Sequence, residues 1–125
     1  MESVFDFLTQ RPTQESTLKK QLAERAAPII AEEFPNLRLI ILYGSVARGN
    51  ARKDSDVDLA LIFSGSRQTL PNIFNHYETL AEKFHEESIP FPHPHIKGGL
   101  NLHPLPEQEY AESSDPFIRN TTNQF

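Results

Sequence analysis

The sequence contains no cysteine, which excludes both a disulfide framework and a metal site built from thiolates. It also contains no apolar stretch long enough to cross a bilayer. Acidic Glu2 and Asp6 interrupt a short apolar segment near the N-terminus, and this excludes the pattern of a signal peptide. These absences predict a cytoplasmic protein without a membrane anchor.

The sequence also has fewer basic than acidic residues. Its 12 Lys and Arg residues and 17 Asp and Glu residues give a net charge of −5. An extensive nucleic-acid surface is therefore not expected, although Arg48, Arg52 and Lys53 form a local basic cluster. At 125 residues the chain is long enough for one core and too short for a second, substrate-recognising domain. We expect a nucleoside triphosphate as a partner, with any large substrate surface supplied by another molecule.

The most informative pattern is a glycine-serine step at Gly44 and Ser45. An almost unbroken apolar run over residues 37–42 predicts a buried strand that ends at this step, where a short helix can begin. Glycine lets the backbone approach a ligand closely, and serine can cap the helix or donate its hydroxyl group. A helix N-terminus also presents unpaired N–H groups to an anion. The step therefore predicts a phosphate-binding corner.

Two aspartates follow the glycine-serine step after ten intervening residues. Residues 57–63 form a second apolar, strand-like run, and because strand side chains alternate between faces, Asp56 and Asp58 should point to the same side. Close carboxylates repel each other unless a cation lies between them, and hard oxygen ligands favour Mg²⁺ or Mn²⁺. The two halves together predict a site for phosphoryl or nucleotidyl transfer.

These residues carry a family resemblance. Gly44-Ser45, ten intervening residues and then Asp56-x-Asp58 resembles the signature of the polymerase-β-like nucleotidyltransferase superfamily. Tyr-Gly-Ser-x-Ala-Arg-Gly followed by Ser-Asp-x-Asp-Leu is similar to the minimal nucleotidyltransferases, which are often encoded beside a helical HEPN-type partner as toxin–antitoxin pairs. The match is dense over residues 37–63.

The resemblance implies a Mg²⁺-dependent (or Mn²⁺-dependent) transfer of AMP from ATP to a hydroxyl group, with a tyrosine of a HEPN-type ribonuclease as the acceptor. The protein would then be an antitoxin that silences its partner by covalent modification. We interpret Arg48 as functional, because a guanidinium one turn beyond the corner suits triphosphate charge. The implied roles are nucleotide binding for Gly44, Ser45, Arg48 and Ser55, and metal binding and catalysis for Asp56 and Asp58.

The third strand departs from the family pattern. Active members carry a third acidic residue there, whereas the best-matching stretch of this chain places Asn101 at that position. Asparagine cannot act as a carboxylate base. His103, on the same strand face, offers another base. Two hypotheses stay open: an active nucleotidyltransferase, and a weak or inactive antitoxin with the same fold that acts by stoichiometric binding to a helical partner.

Other motif interpretations fail on particular residues. A calcium loop beginning at Asp54 would need glycine where Leu59 stands and glutamate where Gly65 stands. Neither a Walker phosphate loop nor a dinucleotide fingerprint surrounds Gly44. A drug-modifying nucleotidyltransferase is a weaker option, because the enzymes it resembles usually add a domain that shapes the small-molecule pocket.

The histidines in and near the proline-rich stretch suggest a zinc site. His93, His95 and His103 lack the spacing of common zinc sites. Proline-rich segments often hold solvated histidines, so we prefer that interpretation to zinc binding.

The predicted fold class is α/β, with a small mixed β-sheet of three or four strands flanked by helices, as in the nucleotidyltransferase fold. We expect a single domain over residues 1–125, and its oligomeric state, including a homodimer, stays open. The short link between the first two strands favours an antiparallel pair. The expected segments are an N-terminal helix over 13–34, the motif core over 37–63, a helix over 67–87, and a third strand with the C-terminal segment over 95–125.

Two helix faces are predicted from their spacing. The first helix should bury Leu18, Leu22, Ala26, Ile29, Ile30 and Phe34, with Pro28 kinking or dividing it. The second should bury an apolar stripe made of Leu70, Ile73, Phe74, Tyr77, Leu80, Ala81 and Phe84.

Overall fold

The computed structural model describes residues 11–90 and 99–112. Within them, three strands and four helices form an α/β fold with a mixed sheet flanked by helices. The elements are α1 (Gln14–Glu33), β1 (Leu37–Tyr43), α2 (Gly44–Arg48), β2 (Val57–Phe63), α3 (Tyr77–Glu86), β3 (Leu100–Pro106) and α4 (Glu107–Glu112). The predicted fold class is confirmed.

The sheet has the strand order β1-β2-β3. β1 and β2 are antiparallel, as their short connection predicted, and β3 lies parallel to β2. The register places Tyr43 opposite Asp58, and Asp58 opposite Asn101. One row across the sheet therefore contains residues from both motif halves and from the third strand.

The two faces of the sheet have different neighbours. Val57, Leu59, Leu61 and Phe63 of β2 belong to the main core, which also contains the buried residues of α1 and α3. The alternate residues of β2 point to the other face, where Ala60 and Ile62 pack with Ile41 and Tyr110. Asp58 lies on this second face. The carboxylate is therefore separated from the main core by the sheet itself.

Helix α1 is rotated relative to the predicted face. Leu18 was expected in the core, but it is 47% exposed, so this prediction was wrong. The residues that α1 buries are Ser16, Lys19, Ala23, Ala26, Ala27 and Ile30. The rotation arises because the polar residues Ser16 and Lys19 make hydrogen bonds to the backbone that follows α2.

Pro28 does not divide α1, which runs without a break from Gln14 to Glu33. Proline removes the hydrogen bond to the carbonyl four residues earlier, at Glu24. Both Pro28 and Glu24 are exposed, so water can reach that carbonyl. Of the two expected effects of Pro28, a kink or a division of the helix, the division was therefore wrong.

The second predicted helix is shorter than expected. The α-helix begins at Tyr77 rather than at residue 67, and two 3₁₀ turns, Arg67–Thr69 and Ile73–His76, come before it. Leu70 has an extended backbone because the next residue is Pro71, which disfavours the helical conformation. Asn72 then caps the second turn by accepting a hydrogen bond from the N–H of Phe74 at 3.1 Å.

These turns change which apolar side chains are buried. Ile73, Leu80 and Phe84 lie in the core as predicted. Phe74 is 68% exposed, so its assignment to the core was wrong. It lies in a 3₁₀ turn, where the spacing of an α-helix does not apply. Its ring makes an edge contact with Tyr77, at a centroid distance of 5.8 Å.

Two further expectations concern the histidines near the third strand and helices that could span a membrane. His93 and His95 lie outside the described residues, and His103 is exposed on β3. Among the helices that the structure describes, none is long and apolar enough to cross a membrane.

The N-terminus of α1 is hydrogen-bonded to the loop after α2. Thr13 caps α1, its Oγ1 accepting from the N–H of Ser16 at 3.1 Å and donating to the carbonyl of Ala51 at 2.7 Å. Ser16 Oγ accepts from the N–H of Ala51 at 2.8 Å and lies 2.8 Å from Thr13 Oγ1. Because the Thr13 proton is directed to Ala51, Ser16 donates in this last bond. The two hydroxyls therefore form a closed network around Ala51.

Replacing Ser16 by alanine tests this network. Ser16→Ala leaves the N–H of buried Ala51 without its acceptor, and we expect the free energy of unfolding to fall by about 1–3 kcal/mol. Urea denaturation measures the change. The matched control is Thr17→Ala at the next, exposed position of α1, with an expected change below about 0.5 kcal/mol. Equal losses in the two variants would contradict the assignment.

Candidate functional site

The corner between β1 and α2 contacts the carboxylate of Asp58. Gly44 has a φ of +77°, a conformation that side chains disfavour. A β-carbon at this position would overlap Asp58 Oδ2. Glycine is therefore required both for the backbone conformation and for the closeness of the acid.

Ser45 has a different place from the one expected. β1 ends and α2 begins where the sequence predicted, but the residue that caps α2 is Tyr43, which makes no side-chain capping hydrogen bond. Ser45 is the second residue of α2, so the expectation that it caps the helix was wrong. Its partly buried side chain lies next to Gly44 at the corner.

Asn101 is a direct neighbour of Asp58. The parallel register of β2 and β3 pairs the two residues, and Asn101 Nδ2 donates a hydrogen bond to Asp58 Oδ1 at 3.0 Å. The structure thus places an amide on the third strand beside the carboxylate, where the sequence pattern expected it. His103 is two residues further along β3, opposite Ala60 on the same face of the sheet.

The environment of Asp58 disfavours its charge. Burial is the main cause that raises the pKa of Asp58 above its ordinary value, and the negative charge of Asp56 adds to it. The hydrogen bond from Asn101 and the positive charge of Arg48 lower the pKa, but they do not cancel the rise. An ionised Asp58 therefore lacks sufficient compensation from the surrounding protein.

This donor set fits a hard divalent cation. Asp58 supplies carboxylate oxygens, and Asp56 is close enough for its negative charge to act on Asp58, so a cation would offset the repulsion between the two. Among residues 11–90 and 99–112, no group of three or more His, Cys, Asp or Glu side chains is arranged so that it could hold a metal ion. Beside Asp58 the third strand contributes the amide of Asn101, whose oxygen is also a hard ligand.

The other two predicted nucleotide-binding residues have different settings. Arg48 ends α2 with an exposed side chain, close enough for its charge to act on Asp58. Ser55 closes a turn: its Oγ accepts from the N–H of Arg52 at 2.8 Å, and its N–H donates to the carbonyl of Arg52 at 3.1 Å. The Ser55 hydroxyl is therefore already engaged with the backbone.

Sequence reasoning missed Lys19. The side chain is buried, and its Nζ donates to the carbonyls of Arg52, Lys53 and Ser55 at 2.9, 2.8 and 2.6 Å. These carbonyls belong to the turn that comes directly before Asp56. Helical periodicity ranks positions by apolar character, so a lysine followed by a second lysine is assigned to the solvent face. No pattern in the sequence indicated that this amino group is buried.

The raised pKa of Asp58 has a testable consequence for stability. Asp58→Asn should raise the Tm of the metal-free protein near neutral pH, because it removes a charge that burial and Asp56 disfavour. A raised pKa means that the neutral acid favours folding, so the stability it contributes is lost as the pH rises through that pKa. The advantage of the variant should therefore shrink at acidic pH.

Differential scanning fluorimetry in a chelating buffer measures these Tm values. Asp54→Asn, at an exposed position of the adjoining loop, is the control and should leave the Tm unchanged. A lower Tm for Asp58→Asn near neutral pH would mean that the Asn101 hydrogen bond outweighs burial.

One comparison with known proteins bears directly on the site residues. The family model described as "Polymerase beta, Nucleotidyltransferase" matches residues 24–99, a range that includes Gly44, Asp56 and Asp58. The comparison with curated proteins gave no match.

A solved structure, described as that of a candidate nucleotidyltransferase from Sulfolobus solfataricus, is similar in fold. It is 21% identical, with a TM-score of 0.51, and the match covers 93% of this chain and 88% of that chain. At this identity the likeness bears on the fold alone. The family match spans more than half of the sequence, and the chain therefore belongs to the polymerase beta nucleotidyltransferase family.

Proposed function

We propose that the protein is a metal-dependent enzyme that transfers AMP from ATP to a hydroxyl group. The observation that carries the proposal is the contact between the Gly44 corner and the Asp58 carboxylate, beside the charges of Asp56 and Arg48. A phosphate corner and a carboxylate pair have separate uses, but placed together they suit a nucleoside triphosphate with its cation.

Each residue has a distinct task in this proposal. Asp56 and Asp58 would hold Mg²⁺ or Mn²⁺, which, when bound, neutralises charge on the triphosphate and orients it. Gly44 leaves room for a phosphate group, and Ser45 donates its hydroxyl to a phosphate oxygen. Arg48 attracts the negative charge that develops as pyrophosphate leaves.

The reaction exchanges one bond for another. The acceptor oxygen bonds to the α-phosphorus of ATP, the bond from that phosphorus to pyrophosphate breaks, and the acceptor hydroxyl loses its proton. A carboxylate on the third strand would be suited to take that proton, whereas the amide of Asn101 is not basic. We therefore expect transfer by this chain to be slow, with the proton passing to solvent.

The acceptor and the biological role are inferred from the motif. The segment from Tyr43 to Gly49 resembles the minimal nucleotidyltransferases, and we extend the proposal accordingly: the acceptor is a tyrosine of a HEPN-type helical protein in the cytoplasm. The protein would act as the antitoxin of a toxin–antitoxin pair.

A second candidate function is favoured by one observation. The hydrogen bond from Asn101 occupies one oxygen of Asp58 with a neutral donor, in place of the third carboxylate that catalysis would use. A chain with this change can still bind a nucleotide or a helical partner. In that case the protein acts by forming a stoichiometric complex.

The transfer experiment combines the purified protein with Mg²⁺, ATP and the HEPN-like product of an adjacent gene. We expect an intact-mass gain of one AMP on the partner, and a rate at least about 100-fold lower in Asp58→Ala because a metal ligand is lost. Asp54→Ala, at an exposed position of the adjoining loop, is the matched control and should transfer normally. Undiminished transfer by Asp58→Ala would exclude the metal assignment.

Asn101→Asp distinguishes the two functions. Restoring a carboxylate beside Asp58 should raise the transfer rate by about 100-fold, since a positioned base contributes at least that much. Asn101→Ala removes the hydrogen bond without adding a charge, and should not gain activity. A stable complex without transfer in the wild type, together with transfer by Asn101→Asp, would favour the binding function. If Asn101→Asp is no faster than the wild type, Asn101 does not limit the reaction.

A further inference from the structure

We propose that Lys19 is a positioning residue for the metal-binding carboxylates. Its buried ammonium group holds the backbone of residues 52–55 and thereby sets the position of Asp56 relative to Asp58. The inference rests on the proposed function for its consequence in catalysis, but the contacts that carry it are structural.

The ammonium group is fully engaged. Lys19 is 8% exposed, and its three N–H donors match three backbone carbonyls, those of Arg52, Lys53 and Ser55, at 2.6–2.9 Å. A buried charge is costly unless it is hydrogen-bonded, so the amino group needs these carbonyls as much as the turn needs the amino group. An apolar side chain of similar length would fill the space but leave all three carbonyls without this donor.

Asp56 and Asp58 are held in different ways. Asp58 lies within β2, and pairing with Tyr43 on one side and Asn101 on the other fixes its backbone. Asp56 lies between the turn of residues 52–55 and Val57, the first residue of β2, whose N–H donates to the carbonyl of Gly99 at 2.8 Å. Its position therefore depends on the turn as well as on the strand. Lys19 contacts that turn up to Ser55, the residue adjacent to Asp56. Lys19 therefore links the turn before Asp56 to helix α1.

Three residues at the start of α1 make hydrogen bonds to successive parts of the connection between α2 and β2. The N–H of Thr13 donates to the carbonyl of Gly49 at 2.9 Å. At Ala51, Thr13 Oγ1 donates to the carbonyl and Ser16 Oγ accepts from the N–H. Lys19 continues this series to residues 52–55. Ser16 and Lys19 are three positions apart, so they lie on one face of α1, and Thr13 caps the helix before them. This face holds the connection from the end of α2 to the start of the metal-binding strand.

The test compares Lys19→Met with Lys20→Met, which makes the same chemical change at the next, exposed position of α1. Electron paramagnetic resonance measures the affinity for Mn²⁺, and transfer is assayed over a range of Mg²⁺ concentrations. We expect Lys19→Met to weaken Mn²⁺ binding about tenfold, as loss of a group that supports a ligand does. It should raise the Mg²⁺ concentration for half-maximal transfer by a similar factor, and saturating Mg²⁺ should restore kcat. Lys20→Met should match the wild type.

A general loss of stability must be separated from this effect. Phe84→Ala opens a cavity in the core on α3, an element different from the turn of residues 52–55, and should lower the Tm while leaving Mn²⁺ affinity unchanged at a temperature well below the transition. If Lys19→Met does not fold, Lys19→Arg, which keeps the charge with a different donor geometry, is measured instead and should also weaken Mn²⁺ binding.

Two results would overturn the inference: unchanged Mn²⁺ affinity in the Lys19 variant, or an equal loss of affinity in Phe84→Ala. If the wild type binds no Mn²⁺ and transfers nothing, the proposed function fails together with the inference. If the wild type binds and transfers while the Lys19 variant matches it, only the positioning role fails.

Discussion

The register between β1 and β2 is the constraint on which the site depends. It places Tyr43 opposite Asp58, so the chain leaves β1 at the level of the carboxylate, and Gly44 must then pass close against it. A shift by one residue would turn Asp58 toward the main core. The apolar residues of β2 on the core face prevent such a shift, because Leu59 and Leu61 would turn away from the main core to the other face of the sheet. Hydrophobic packing thus determines the place of a polar site.

The site in turn carries an electrostatic cost. Burial and the charge of Asp56 act against ionised Asp58, while Arg48 and Asn101 compensate only in part. A cation would provide the missing compensation, and the same imbalance that weakens the metal-free protein would strengthen metal binding. Helix α1 contributes both to the core and to the surroundings of the site. Its C-terminal half packs in the core through residues such as Ile30, and its N-terminal half holds the connection to Asp56 through Lys19.

Much of this arrangement was predictable because it follows from local patterns. The apolar runs over residues 37–42 and 57–63 form strands, and the step at Gly44 starts a helix, as composition and periodicity indicate. The short link between the strands favoured an antiparallel pair, which the structure has. Asn101 was also expected at the site, but from the resemblance to the family pattern rather than from local patterns, and the parallel register of β2 and β3 places it opposite Asp58.

What failed were predictions that needed the surroundings of a side chain. Leu18 and Phe74 are apolar but exposed, because α1 rotates to satisfy polar contacts and because 3₁₀ turns replace a helix around Pro71. Lys19 is charged but buried, because three carbonyls distant in sequence converge on it. The sequence by itself determined the strands, the glycine corner and the carboxylates, since these depend on neighbouring residues. Only the tertiary structure decided how α1 is oriented and what holds Asp56, since those depend on hydrogen bonds between distant segments.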